Sequence, residues 1–251
     1  MPIPPLKHDQ VAELDAGDVV VRHPRDEPDE AAAAVEVVRA VWPVVEAYLG
    51  ARWRGRLRVE LLAEARASGV NAASATLRHS VRGLSERSPT TAGVLSYQLG
   101  QVLWYAATGE AAYRGPMPRS PDWLLVAALT PLTHAWSDRD TWSDHVAQHV
   151  RRAARARPLG EAELARHADL APALLGRAVS QSLSRGRSLE RRHPDWVRAL
   201  VAQLADDTRA DGMTALERVT GADSPTWLER FEQDLLEWRA EDDEWRPGVV
   251  T

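Results

Sequence analysis

Every segment with strand-like character falls in the first third of this chain, and that one-sided placement limits the fold more than any other feature. Asp18-Val19-Val20-Val21-Arg22-His23 is a β-branched run. Arg56-Leu57-Arg58-Val59-Glu60-Leu61-Leu62 alternates apolar with charged side chains, and Ala75 to Leu84 alternates again. Period-two alternation marks a strand with one buried face. The 75–84 run carries polar side chains on one face and reads as an edge or cleft-lining strand.

The rest of the chain is spaced for helices. Asp29 or Glu30 opens an amphipathic pattern through Val35, Val38, Val41, Val45 and Leu49 that stops at Gly50. Ser88-Pro89 supplies an N-cap followed by proline at the first helical position, predicting a helix over about 88–108 that ends at Gly109. Ser120-Pro121 repeats the signal for a short helix covering Trp123 to Leu129. From about Ser143 the pattern is helical, with breaks expected at Pro158-Leu159-Gly160, Gly186, His193-Pro194, Asp211-Gly212 and Gly221 to Pro225. The expected fold is α+β: a small mixed sheet with packed helices over 1–132, then a mainly helical lobe over 133–251, predominantly helical overall.

Composition removes several function classes. A net charge of -5 argues against a nucleic-acid partner. With no cysteine there is neither a disulfide, a thiolate metal ligand nor a thiol nucleophile. Met1 to Gln10 holds no apolar run of signal-peptide type, and the longest apolar run, Trp123 to Leu132, is too short to cross a bilayer. A cytoplasmic protein without a membrane partner is expected. No G-x-S-x-G or phosphate-binding glycine loop occurs, so Ser180, Gln181, Ser182 and Ser184 lack a nucleophile context. No cofactor is called for.

Two segments carry a frame of their own. Val94-Leu95-Ser96-Tyr97-Gln98-Leu99-Gly100-Gln101-Val102-Leu103-Trp104 lies in the helix that follows the third strand-like run, and Pro121-Asp122-Trp123-Leu124-Leu125-Val126 comes about twenty residues later. With the strand–helix–strand–strand–helix order, these segments resemble the gluzincin superfamily of HExxH zinc metallopeptidases, thermolysin-like in architecture. Arg177 to Leu183, Thr214 to Gly221 and Trp227 to Glu232 resemble the later helices of that family, so the likeness spans roughly Asp18 to Trp238. In the family a strand lining the cleft leads into the HExxH helix, and a P-x-W-L-x-E-G segment presents the third ligand.

The resemblance places Tyr97 and Gln101 at the two histidine positions, Gln98 at the general base and Val126 at the third ligand. Zinc takes imidazole, thiolate or carboxylate donors, which none of these residues provides. Gln98 cannot accept a proton near neutral pH, and water activation requires both metal and base. The resemblance therefore implies a catalytically inactive pseudopeptidase that binds a peptide, a small molecule or a protein partner. Tyr97, Gln98, Gln101, Arg78 and Trp123 are the candidate ligand contacts. The 75–84 strand is the expected docking edge for an extended peptide. Two alternatives stand beside it: a metal-independent enzyme with Tyr97 as proton donor, and a structural or oligomerisation module. As polar residues on a helix surface, Tyr97, Gln98 and Gln101 also have a plain reading without function.

Elsewhere, His145 and His149 stand one helical turn apart, the spacing of a metal-binding pair, with Asp138, Asp140 or His167 as the third donor. Neighbouring Arg151 and Arg152 disfavour a cation there. Arg151, Arg152, Arg155 and Arg157 read as a solvated helix face, or else as a patch for phosphate or an acidic partner.

Overall fold

In the computed structural model the alternating runs pair with one another, and two short strands join them. The structure describes residues 11–62, 69–80, 84, 89–110, 119–134 and 139–244, with backbone alone at 89, 134, 139–146 and 239–244. Among these residues the chain is α+β, 65% helical, with one small mixed sheet of five strands. The strands are β1 (Val11–Asp15), β2 (Val19–Pro24), β3 (Leu57–Leu62), β4 (Gly69–Asn71) and β5 (Thr76–Ser80), in the spatial order β1-β2-β3-β5-β4. The central three run parallel, and β1 and β4 pair antiparallel at the two sides.

The register aligns Val21, Val59 and Leu77 across the central strands, with Arg22, Glu60 and Arg78 one step along. Because neighbouring side chains alternate between faces, the first row is buried and the second meets solvent. Helices α1 (Pro28–Leu49) and α2 (Pro89–Thr108) both belong to the buried side: α1 packs on β2 and on α2, and α2 on β4 and β5. Gly50 closes α1 and Gly109 closes α2 at φ +66° and +71°, values that favour a residue without Cβ. Gly93 has a different reason to be glycine. A Cβ there would lie 1.9 Å from the carbonyl oxygen of Thr133, in the 3-10 turn Thr130–His134.

The chain divides into two compact units. One comprises Met1–Ala112 and Pro131–Ser137, the other Tyr113–Thr130 and Asp138–Thr251. The second unit contains α3 (Asp122–Leu129), α4 (Arg139–Arg155), α5 (Glu161–Ala165), α6 (Pro172–Arg192), α7 (Trp196–Asp206), α8 (Gly212–Thr220) and α9 (Ser224–Glu244). All eight residues of α3 are buried, consistent with a helix apolar on every side. Pro121 precedes α3 without a side-chain cap, so the expected Ser120 cap is replaced by proline's preset backbone. The break expected at Gly186 does not occur. Gly186 lies inside α6, where its Cβ would approach that of Ala127 on α3 to 3.1 Å. Here glycine marks a close helix crossing rather than an end.

The core of this unit holds a charge. The side chain of Arg185 on α6 is only 2% exposed. Its guanidinium lies 4.9 Å from the ring centre of Trp123, 5.3 Å from Trp227 and 5.5 Å from Phe231. Glu161 accepts both terminal nitrogens at the rim of this aromatic box, while Nε finds no acceptor among the described residues. The ring faces supply the remaining stabilisation, since their quadrupoles present negative charge to the planar cation. A second buried ionic knot ties α6 to α9. Asp234, 1% exposed, accepts from Arg192 at 2.6 and 2.8 Å, from Arg191 at 3.1 Å, and from the Ser188 hydroxyl. Burial pushes this carboxyl up, but the bonds from Arg192 and Ser188 outweigh that and hold it below the ordinary 3.8.

Two substitutions test this packing by denaturant titration. Gly93→Ala forces backbone apart at Thr133 and should lower stability by about 3 kcal/mol, with an unchanged midpoint refuting the close approach. Arg185→Ala empties the aromatic box and should cost on the order of 3 kcal/mol. Glu161→Ala, at a half-exposed rim, should cost about 1 kcal/mol.

Candidate functional site

Helix α2 follows directly from its sequence. Pro89 sits in the first turn, and Leu95, Leu99, Val102 and Leu103 form a fully buried stripe. Gln98 falls three residues after Leu95 and four before Val102, which places an amide within the apolar face. It is 4% exposed. Its Nε2 donates to the carbonyl oxygen of Arg78 on β5 at 2.9 Å, while Oε1 has no partner among the described residues. Gln98 thus pins the helix to the sheet. Tyr97 is half-buried, and Gln101 is buried one turn on.

Strand β5 departs from the expected edge. Over Thr76–Arg78 it is paired on both sides, with β3 and with β4, so no main-chain groups are left there for an added peptide. The cause is Gly69–Asn71, three residues too short to show alternation in sequence. The rest of the predicted 75–84 strand is outside the described residues at 81–83, and Leu84 lies in a turn.

On the open face of the sheet the Arg78 side chain pairs with Glu60 at 2.9 Å, its neighbour in register. Both help to line a concavity of about 440 Å³ together with Arg56, Arg58, Asn71 and Thr76. Tyr97, Gln98 and Gln101 do not line it.

Val126 and Trp123 stand on α3, in the second unit. Trp123 is 1% exposed and stacks on Trp227 with ring centres 5.1 Å apart. Beside it the structure assembles a group that sequence spacing does not reveal. Asp122 Oδ2 accepts the backbone N–H of His167 at 2.7 Å. His167 Nε2 lies 3.5 Å from Ser182 Oγ, and that hydroxyl donates to the Ala178 carbonyl at 2.7 Å. The residue types are those of an acyl-transfer triad, but the bonds are not. The carboxylate holds backbone rather than orienting the ring, and the serine proton is committed to a helix carbonyl. All three residues are buried, and the group acts as a pin between α3, α6 and the turn at 167–169.

The histidine pair also reads differently in three dimensions. Ser180 Oγ donates to the Gly176 carbonyl at 2.9 Å, so it accepts from Nδ1–H of His149, also at 2.9 Å. His145 lies on the same helix, but its side chain, that of Asp140 and all of Asp138 lie outside the described residues. Among the described residues no three histidine, aspartate or glutamate side chains group closely enough to hold a metal ion. Among the same residues no helix is long and apolar enough to cross a membrane. No family model matches this chain, and no curated protein matches it.

Two buried imidazoles give the fold a pH dependence. Burial holds His79 and His167 below the ordinary 6.5, with the Asp122 carboxylate partly opposing this at His167. The unfolded chain takes up protons near 6.5 while the folded rings do not. Stability is therefore complete above that pH and declines as the pH falls from 6.5 through the folded values. Denaturation midpoints should drop between about pH 7.5 and 5.5, and His79→Gln and His167→Gln should each flatten that drop. A wild-type midpoint constant across this range would disprove the assignment.

Proposed function

We propose that this chain is a non-hydrolytic binding module built on a gluzincin-like frame. The observation that carries the reading is the Gln98–Arg78 bond. At the position where a zinc peptidase keeps a base to take a proton from water, this chain keeps a buried amide that fastens helix to strand. The direct packing of α2 on β5 also supports the frame, in which the motif helix follows the cleft strand. For the alternative of a metal-independent enzyme with Tyr97 as proton donor, the Arg78 carbonyl already takes one of the two N–H donors of Gln98. An extended peptide seeking main-chain partners has β4, rather than β5, as the sheet edge on that side among the described residues.

Rebuilding the ligands tests the frame. The variant Tyr97→His, Gln98→Glu, Gln101→His should take up zinc by elemental analysis, while the wild-type chain neither retains zinc nor cleaves a mixed peptide pool. A folded variant without zinc would refute the frame. A zinc-loaded, peptide-cleaving wild type would refute the loss of hydrolysis.

A further inference from the structure

The basic run at the end of α4 is exposed at Arg152, Arg155 and Arg157, and it is not flat. It forms one wall of a concavity of about 480 Å³ whose other wall is the start of α6. Arg152, Arg155 and Arg157 come from the first wall and Arg177 from the second. Ala153, Ala156 and Ala173 contribute an apolar floor, and no carboxylate is among the lining residues.

The walls are held in place from within. The Gln181 side chain accepts from the Leu159 N–H at 2.9 Å and donates to the Leu159 carbonyl at 3.2 Å, anchoring the segment that follows Arg157. Arg177 donates through Nη2 to the Arg157 carbonyl, which joins the two walls. Its Nε is shielded from solvent and has no partner among the described residues.

The net charge is -5, and several arginines outside this concavity meet carboxylates: Arg39 with Asp18, Arg56 with Asp15, Arg185 with Glu161 and Arg218 with Asp207. Arg152, Arg157 and Arg177 form no ion pair with any described residue. Positive groups gathered in a concave site without acids repel one another until an anion enters. Guanidinium forks match the oxygens of a tetrahedral dianion, and an ordered donor loses little freedom on binding. The volume lies within the range of small-molecule sites and exceeds that of a single ion.

We propose that this concavity binds a phosphate group, carried either as the free ion or on a small organic ester whose body rests on the alanine floor. The site is independent of α2 and of the peptidase-like reading.

Calorimetric titration of the full chain at low ionic strength, with inorganic phosphate, phenyl phosphate and phenol, tests it. Both phosphates should saturate a single site, and phenol should not bind. Tighter binding of phenyl phosphate identifies an ester site, and equal affinity identifies a site for the free ion. Arg152→Gln and Arg177→Gln should each weaken binding about ten-fold, whereas Arg187→Gln, outside the concavity, should leave it unchanged. Arg152 is exposed, so its variant stays informative if Arg177→Gln fails to fold. Failure of both phosphates to saturate, or full affinity in the Arg152→Gln protein, would overturn the proposal.

Discussion

A sheet with one buried face has to receive its helices on that side, and in the first unit this requirement organises everything else. Val19, Val21, Leu57, Val59, Leu61 and Leu77 define the face, and α1 and α2 lie on it. Once α2 is pressed against β5, any polar residue on its inner stripe must find a partner in the strand or stay unsatisfied. Gln98 does both, bonding through its nitrogen while its oxygen has no described partner. The chemistry at this position is thus a consequence of packing.

The boundaries of the long elements were legible because their signals are local. Acidic residues at the start of α1, proline in the first turn of α2 and glycine in a left-handed position after each helix mark their ends within a residue or two. What escaped was non-local. Neither Val11–Asp15 nor Gly69–Asn71 carries a β-branched run, and the second is too short to display a period. Without β4, β5 reads as an edge. Gly186 reads as a break because sequence cannot distinguish a glycine that ends a helix from one that admits a neighbouring helix.

The candidate site was legible to the same degree. Tyr97, Gln98 and Gln101 were legible as polar residues on a helix, but the bond that explains Gln98 joins residues twenty apart. Arg177 escaped the basic cluster because it arrives from another helix. The same holds for Arg185, whose aromatic surroundings come from α3 and α9. A chain with one lysine and abundant arginine looks like a coding bias, yet at Arg185 the flat guanidinium has a function no ammonium would serve, lying against rings while forking onto a carboxylate.

The path of the backbone through the two units has a further bearing on how this protein can be cut and recombined. The chain leaves the first unit after Ala112, comes back for Pro131–Ser137, where Thr133 abuts Gly93, and then leaves again. No single cleavage point separates the units, and a gene fragment that encodes all of one necessarily includes part of the other.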